Sequence, residues 1–410
     1  MSGRPREGPA SGDRAGDRIR SGLRLGSGPL QMLAVLMVTA IAILATSAAA
    51  HSEACAPVAA DSQWHPPAVV SGAERLDFEA LVAKLAEERV VMIGEVHDRY
   101  DHHLNQLELV CRLHRRHPNL AIGLEFFQQP FQDPLDAYLD LRIDTPEMLA
   151  QTEYYDRWRF DYRLYAPITE FARGRGIPLV ALNAPKEISS KVAQEGISGL
   201  SETERAQFPA QLDRDLPGYR ERLRAVFDEH PEIQQMSFEN FVEAQLIWDE
   251  SMAERAVRYL EAHPDRHLVV LAGDGHITRS GIPARLTRRS GVEAVNLLQG
   301  EPKETAPEDA DYVLVSEAIE LPRVGKLGVM LDTSGDRLVV SGLTEDSAAK
   351  DVGILERDQI VELNGKPIAS LADLKLELMD KRPGDVVSVE VERVCSGQAA
   401  CEASFSVTLR

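Results

Sequence analysis

RVVMIGEVHD, at residues 89–98, and HLVVLAGDGH, at residues 267–276, share one pattern. Each begins with a short apolar run rich in β-branched residues, reaches a glycine, and continues with an acidic residue and a histidine. A run of about four to eight apolar residues that stops at a glycine is typical of a strand buried on both faces. Each stretch therefore predicts a buried strand that is followed at once by a polar turn.

Three further apolar runs have the same character: Leu120–Leu124, Pro178–Leu182 and Glu293–Leu298. Helical patterns separate the runs, at Asp101–His117, Leu164–Gly174 and Phe238–Ala262. Apolar strands that alternate with helices form parallel sheets with both faces covered. We therefore predict an α/β fold with a mainly parallel sheet flanked by helices.

The ends of the predicted strands carry the polar residues of interest. In an open α/β sheet, ligands bind beyond the carboxyl ends of the strands, so the residues expected at one rim are Glu95, His97, Glu125, Asn183, Asp274 and His276. Such a group suits acid–base chemistry, with Glu95, His97, Glu125, Asp274 and His276 as catalytic candidates. It also suits a divalent metal, with Glu95, His97, Glu125 and His276 as ligand candidates. His102 and His103, on the following helix, are expected at solvated positions; the alternative is that His103 approaches the site, if that helix starts at the rim.

Residues 154–165, YYDRWRFDYRLY, form a dense aromatic and charged patch. One interpretation is a helical cap that packs over the sheet. The other is a wall for a flat apolar ligand such as a porphyrin, with a tyrosinate as axial ligand. The cofactor-binding candidates are Tyr154, Tyr155, Tyr162, Tyr165 and, further along the chain, Tyr219. On the long helix, Asp249 is expected to play a structural role.

Composition limits the classes of partner. The chain has 410 residues and a formal net charge of −20. A general nucleic-acid binder carries a basic face, so nucleic acid is not expected as a partner. The 4 Cys are too few for a disulfide scaffold. We expect a disulfide between Cys395 and Cys401, which flank a turn between two strands, and a buried free thiol at Cys111.

The first fifty residues resemble an export signal. Six arginines precede residue 28, an apolar run extends from Met32 to Ala45, and Ala48-Ala49-Ala50 supplies a small-residue cleavage site. The run is shorter than the roughly 18–20 residues that span a bilayer. We therefore predict a signal peptide at 1–50, a linker at 51–70, and a periplasmic or cell-envelope location. Ser52 and Glu53 do not fit the motif for a lipid anchor at Cys55.

A change of pattern marks a second domain. Residues 299–309, QGEPKETAPED, are acidic and poor in apolar residues, as linkers are. After them, strands alternate with period two, turns such as Asn364-Gly365 appear, and one helix is predicted at Ser370–Lys381. This part is a small β-rich module.

The first domain, at residues 71–320, resembles the ChaN-like haem-binding uptake family of the Tiki superfamily. The resemblance rests on Gly94-Glu95-Val96-His97-Asp98, the strand ending in Glu125, PLVALN at 178–183, the helix with Gln245, Asp249 and Met252, and Gly273-Asp274-Gly275-His276. It implies an exported protein linked to haem binding and iron uptake, with haem held by a tyrosine at a dimer interface. The same superfamily includes metal-dependent proteases and esterase-like hydrolases, whose site roles carry over onto Gly94–His97, Glu125 and His276. The haem tyrosine matches no single position here.

The second domain, at residues 323–410, resembles a bacterial PDZ domain. The matching segments are Lys326-Leu327-Gly328-Val329-Met330, Ser347-Ala348-Ala349, Gly353-Ile354-Leu355 and DQIVELNG at 358–365. The resemblance implies that Leu327, Gly328, Val329 and Met330 bind the C-terminus of a partner, which adds a strand beside Val329. Leu374 or Leu378 would then line the side-chain pocket. The alternative is a PDZ fold that only docks on the first domain.

These observations leave two main functions open. One is an exported carrier of haem or iron porphyrin with a PDZ module that recruits a partner. The other is a metal-dependent hydrolase or peptidase that uses the Glu/His group. A scaffold whose ancestral site no longer works is a third. The sequence does not decide whether the protein is an enzyme.

Overall fold

The structure is a computed structural model, and it describes residues 63–300, 309–335, 337–394 and 400–410. The predicted signal peptide, the Cys55 site and most of the predicted linker at 299–309 lie outside these residues. Within them, no helix has both the length and the apolar character needed to cross a membrane.

Eight strands form the sheet of the first domain. In chain order they are β1 (Ala68–Ser71), β2 (Glu74–Leu76), β3 (Val90–Ile93), β4 (Leu120–Gln128), β5 (Leu179–Asn183), β6 (His267–Leu271), β7 (Val295–Gln299) and β8 (Tyr312–Val315). Every apolar run quoted above corresponds to one of these strands.

Helices cover the sheet and the space beyond its rim. They are α1 (Phe78–Leu85), α2 (Tyr100–Arg116), α3 (Gln132–Leu139), α4 (Thr145–Gln151), α5 (Tyr154–Arg157), α6 (Ala166–Arg175), α7 (Lys186–Glu195), α8 (Glu202–Arg205), α9 (Tyr219–Glu229), α10 (Phe238–Ala262), α11 (Asp274–Ile277) and α12 (Ile282–Ser290). Short 3₁₀ turns lie at Gln129–Phe131, Tyr162–Leu164, Ile197–Gly199 and Pro231–Gln235. The side chain of Ser237 accepts a hydrogen bond from the Asn240 N–H and so begins α10 at its predicted residue.

The strand order across the sheet is β2-β1-β8-β7-β3-β6-β4-β5. All neighbours from β8 to β5 are parallel, and only the β1–β2 and β1–β8 pairings, at one edge, are antiparallel. The predicted α/β fold with a mainly parallel sheet is therefore confirmed. In register, Ile93 of β3 pairs with Leu271 of β6, so the turns after these two strands lie side by side.

An apolar cluster packs against each of the two faces of the sheet. Side chains that alternate along β3 go to opposite clusters, with Val91 and Ile93 in one and Val90 and Met92 in the other. Burial on both faces explains why these strands read as continuous apolar runs.

The second domain is built on an antiparallel sheet. Its strands are β9 (Val329–Asp332), β10 (Val339–Leu343), β11 (Gln359–Leu363), β12 (Lys366–Pro367), β13 (Val386–Val394) and β14 (Ala400–Thr408), and its helices are α13 (Ala348–Asp351) and α14 (Leu371–Leu378). The order is β14-β13-β11-β10-β9, with β12 beside β11, so β9 is an edge strand. Ser370 and Asp373 form a capping box that begins α14.

The second domain contacts the first through α14 and the residue that follows it. Met379 is buried in the main apolar cluster of the first domain, and Leu376 packs against the same cluster. The Lys375 ammonium lies 5.1 Å from the centre of the Tyr155 ring. Arg163 also donates a hydrogen bond to the carbonyl oxygen of Pro322.

Two expectations about single residues are wrong. Cys111 is buried but disulfide-bonded, so it is not a free thiol. Cys401 is disulfide-bonded too, whereas Cys395 lies outside the described residues, so their pairing stays a prediction. His102 and His103 are each 1% exposed rather than solvated, because α2 is enclosed between the sheet and neighbouring helices.

Candidate functional site

The turn after β3 carries the first carboxylate–imidazole pair. Nδ1 of His97 lies 2.8 Å from Oε1 of Glu95, and the same oxygen accepts a hydrogen bond from the Tyr165 hydroxyl at 3.0 Å. The other oxygen of Glu95 lies 3.0 Å from Nδ1 of His103, whose Nε2 lies 3.1 Å from the carbonyl oxygen of His97. Glu95 is thus buried between two imidazoles and a phenol.

The turn after β6 carries a second pair. Nδ1 of His276 lies 2.6 Å from Oδ1 of Asp249, and Nε2 of His276 lies 3.4 Å from Oε1 of Glu125. Oδ2 of Asp249 accepts a hydrogen bond from the Tyr219 hydroxyl at 2.8 Å. The guanidinium of Arg285, fully buried, stacks 4.3 Å from the centre of the Tyr219 ring.

Gly273 lies where the two pairs meet. Its N–H donates to Oε2 of Glu125 at 2.6 Å. A Cβ at this position would lie 2.8 Å from Cε1 of His97 and 3.7 Å from Oε2 of Glu125. Only a residue without a side chain lets the imidazole of one pair lie against the turn that holds the carboxylate of the other.

Gly94 is required by a similar close approach. A Cβ on Gly94 would lie 1.9 Å from Oδ1 of Asp274. The carboxyl group of Asp274 accepts a hydrogen bond from the Gln299 N–H, and the Asp274 N–H donates to the carbonyl oxygen of Glu95. Asp274 therefore joins the two turns behind the imidazoles rather than facing solvent.

The charges in the first pair stabilise one another. Burial opposes the charged form of Glu95, but the charge and hydrogen bond of His103, together with His97, lower the pKa of that carboxyl well below its ordinary value. Burial also opposes protonation of His97, yet the hydrogen bond of Glu95 and the charges of Glu125, Glu95 and Asp274 raise its pKa to about 9. For His103, burial is likewise outweighed by Glu95, which raises the pKa.

The second pair is polarised in the same way. Burial opposes the charged form of Asp249, but the charge and hydrogen bond of His276 lower the pKa of the carboxyl. The pKa of His276 is raised, because Glu125 and Asp249 outweigh the effect of burial. Asp274 differs from both pairs: burial raises its pKa to about 8, and only the Gln299 N–H and His97 oppose the rise. The site thus combines two charged pairs with one carboxyl group that burial keeps neutral at pH 7.

Aromatic rings flank the accessible side of His97. We call residues 154–165 the cap segment. Within it, the Trp158 ring centre lies 4.9 Å and the Phe160 ring centre 4.7 Å from the imidazole centre of His97. The His97 side chain remains 28% exposed, and Val96 beside it is also exposed. His97 is the most accessible member of the two pairs and lies within a largely apolar surface.

The five candidate tyrosines are not equivalent. Tyr154, Tyr162, Tyr165 and Tyr219 are fully buried, and burial raises the pKa of each hydroxyl well above its ordinary value. The hydroxyls of Tyr165 and Tyr219 already donate hydrogen bonds to Glu95 and Asp249, and the Tyr162 hydroxyl shares a hydrogen bond with the Thr169 hydroxyl. Of the five, only Tyr155 keeps part of its side chain exposed, so the other four do not reach an external ligand in this arrangement.

The metal alternative gains no support from the arrangement. Across the described ranges, no group of three or more His, Cys, Asp or Glu side chains has the geometry to hold a metal ion. The nitrogens that face Glu95 and Asp249 take part in charge pairs instead. The proposed set of Glu95, His97, Glu125 and His276 therefore stays a prediction.

Some residues of the site were missed or assigned a lesser role. His103 pairs with Glu95, and Asp249 pairs with His276. We expected a solvated position for His103 and a structural role for Asp249. The signal for Asp249 was its place on an apolar stripe of a long helix, where a buried carboxylate needs a partner. Asn183 is the last residue of β5, and its side chain accepts a hydrogen bond from the neighbouring Ala184 N–H.

Comparisons with known proteins agree with this description. The family model for haem-binding uptake, Tiki superfamily, ChaN matches residues 81–286, half of the chain, and a PDZ domain model matches residues 325–405. Among curated proteins, the chloroplastic protein RETICULATA-RELATED 5 of Arabidopsis thaliana is 27% identical over 232 residues. That match covers 52% of this chain but only 31% of the Arabidopsis protein.

Among solved structures, the one that describes cofacial heme binding to ChaN of Campylobacter jejuni is 18% identical and has a TM-score of 0.51. The match covers 62% of this chain and 98% of that chain, and at this identity it supports the fold alone. A solved erythromycin esterase, at 14% identity, covers 60% of this chain and 81% of its own, and its TM-score of 0.35 is too low to carry an argument. One family model matches half of the chain, and the fold agrees with it, so the chain belongs to the ChaN family of haem-binding uptake proteins in the Tiki superfamily, and a PDZ domain follows.

Proposed function

We propose that this protein is an exported carrier of haem or another iron porphyrin, with a PDZ domain that binds the C-terminus of a partner. The single observation that supports the haem site best is the partly exposed imidazole of His97 between two aromatic rings. Porphyrin sites combine flat apolar surface with one side chain that can reach the iron.

The residues present fit such a ligand. Glu95 holds Nδ1 of His97 and fixes the orientation of the ring, and no hydrogen bond to another described residue occupies Nε2. The Trp158 and Phe160 rings and Val96 supply apolar surface beside it. His97 would lose its proton on binding iron, because only the neutral imidazole is a ligand. Tyr155, which is partly exposed but lies against Lys375 of the second domain, is an alternative ligand at a separate position.

A titration of the purified full chain with hemin tests the proposal. We expect a saturable Soret shift, and we expect His97→Ala to abolish or displace it. His65→Ala, at an exposed histidine elsewhere on the domain, is the matched control. Tyr155→Phe separates the two ligands, with Tyr312→Phe as its control. A Soret shift that survives in both His97→Ala and Tyr155→Phe would overturn this site.

The export and uptake parts of the proposal need tests in cells. Fractionation should find the mature chain in the periplasm or cell envelope and without residues 1–50. Loss of the protein should slow growth when haem is the iron source. The oligomeric state, measured with and without hemin, should show whether a dimer forms around the ligand.

A second candidate function is hydrolysis, and the two carboxylate–imidazole pairs favour it. An imidazole held by a buried carboxylate is the usual arrangement of a general acid–base group. His276, with Asp249 behind Nδ1 and Glu125 near Nε2, has this form. Turnover of model esters or peptides that disappears in His276→Ala, with unchanged hemin binding, would favour the hydrolase.

A further inference from the structure

An apolar groove runs between β9 and α14 of the PDZ domain. Its volume is about 480 Å³, and Leu327, Val329, Leu331, Leu374 and Leu378 line it. Among the described strands β9 pairs only with β10, so its outer edge is free for another strand. The N–H groups of Leu327 and Gly328, which precede β9, donate to no other described residue.

The loop before β9 requires glycine. The φ angle of Gly328 is +74°, and a Cβ there would lie 2.6 Å from Cα of Ser347. This conformation exposes successive backbone N–H groups, which is a geometry that binds anions such as a terminal carboxylate. The groove thus has an apolar floor, a free strand edge and a set of free donors at one end.

The first domain completes the groove. Four residues of the cap segment line it together with the PDZ residues: Tyr155, Arg159, Asp161 and Arg163. Such a groove is usually formed within the PDZ domain itself, so these side chains add contacts that the second domain cannot supply.

The groove is basic in an otherwise acidic protein. Four cationic side chains line it, from Arg159, Arg163, Lys326 and Lys375, against the single carboxylate of Asp161. Arg163 already pairs with Asp161. Neither Arg159 nor the exposed Lys326 ammonium has an ionic partner among the described residues. The net charge of the whole chain is −20, so this local excess of cations is a distinctive feature.

We propose that the groove binds the C-terminal segment of a partner protein that ends in an apolar residue and carries acidic residues just before it, and that Arg159 of the first domain helps to select it. The proposal rests on the proposed PDZ function and specifies the partner. The apolar floor takes the last side chain, the free N–H groups take the terminal carboxylate, and the unpaired cations complement the acidic residues. Acidic tails would therefore bind better than basic ones.

Three fluorescein-labelled hexapeptides test the proposal by anisotropy with the full chain. One ends in Asp-Glu-Asp-Phe-Val, the second has Lys-Arg-Lys in place of the acidic residues, and the third is the acidic peptide with an amidated C-terminus. At low salt we expect the acidic peptide to bind about tenfold more tightly than the basic one, and the preference to shrink at high salt. Amidation should abolish most of the binding.

Charge reversal then identifies the contribution of the first domain. Arg159→Glu should weaken the acidic peptide about fivefold to tenfold and strengthen the basic one. Arg142→Glu, at an exposed arginine paired with Asp140 and absent from the groove lining, should change neither. If no peptide with a free C-terminus binds, the proposed PDZ function fails. If the amidated peptide binds as well as the free one, the proposed PDZ function fails too. If the acidic and basic peptides with a free C-terminus bind equally well while the amidated one does not, or if Arg159→Glu has no effect, the PDZ function stands and this inference fails.

Discussion

At the scale of single residues, Asp274 makes an unusual contribution to stability. Burial raises its pKa from the ordinary 3.8 to about 8, so the folded protein binds a proton that the unfolded chain releases. This contribution is fully present below about pH 4 and is lost as the pH rises towards 8.

We therefore expect Asp274→Asn to remove this loss of stability at high pH. At pH 8 the variant should be more stable than the parent by several kcal/mol, because each unit of difference between the folded and unfolded pKa corresponds to about 1.4 kcal/mol, and below pH 4 the difference should vanish. The amide oxygen can still accept the hydrogen bond from the Gln299 N–H. Urea unfolding at a series of pH values gives the free energies. Asp140→Asn, at an exposed carboxylate, should not alter the pH profile, and a variant that is equally destabilised at every pH would contradict the prediction.

The sequence predicts the positions of those site residues that directly follow a strand. Glu95, His97 and His276 follow glycines at the ends of buried strands, so the parallel sheet alone places them at one rim. Asp249 and His103 come from helices, and their partners depend on how each helix packs on the sheet. Local pattern does not specify that packing, so their pairing became clear only in three dimensions.

At the scale of elements, the cap segment is the part that shapes the proposed haem site. Trp158 contacts His97, Phe160, Phe126 and Tyr165 through its ring, and its indole N–H donates to the Tyr165 hydroxyl at 3.2 Å. It therefore links the accessible imidazole to the buried phenol that holds Glu95.

Replacing Trp158 should remove apolar surface beside His97. We expect Trp158→Ala to weaken hemin binding about tenfold, because the apolar wall is lost, while Trp158→Phe should recover most of the affinity. Hemin titration followed by absorbance gives both values. Circular dichroism checks that each variant is folded, and equal affinity in a folded Trp158→Ala variant would contradict the role of the cap.

The orientation of the aromatic side chains at residues 154–165 could not be predicted from the sequence. The sequence offered two interpretations, a packed cap or a wall for a porphyrin, and the structure shows features of both. Most of its tyrosines are buried as packing would require, whereas Trp158 and Phe160 line the open side of His97. Spacing does not distinguish these positions, because the segment changes between helix, extended chain and 3₁₀ turn within a dozen residues.

At the scale of the whole molecule, the two domains share an apolar contact. Met379 belongs to the core of the first domain rather than to that of the PDZ domain. A charge at this position should therefore separate the domains without unfolding either of them.

We expect Met379→Asp to cost about 2 kcal/mol of docking free energy and to expose the segment around Arg323. Limited trypsin digestion should then release a stable PDZ fragment that the parent does not yield. Leu355→Asp, at an exposed apolar residue of the same domain, is the matched control. Identical digestion of Met379→Asp and the parent would show that the contact does not hold the domains together.

The cap segment lies between the two proposed binding sites. Tyr155, Arg159, Asp161 and Arg163 line the peptide groove, while Trp158 and Phe160, which alternate with them, lie against His97. If a bound tail repositions this segment and so changes the affinity of the other site, thermodynamic linkage requires that the ligand at that site change the affinity for the tail by the same factor. A partner that docks through its tail would in that way change the affinity of the protein for its proposed porphyrin ligand. The twelve residues of the cap segment would then couple partner binding to uptake or release of that ligand.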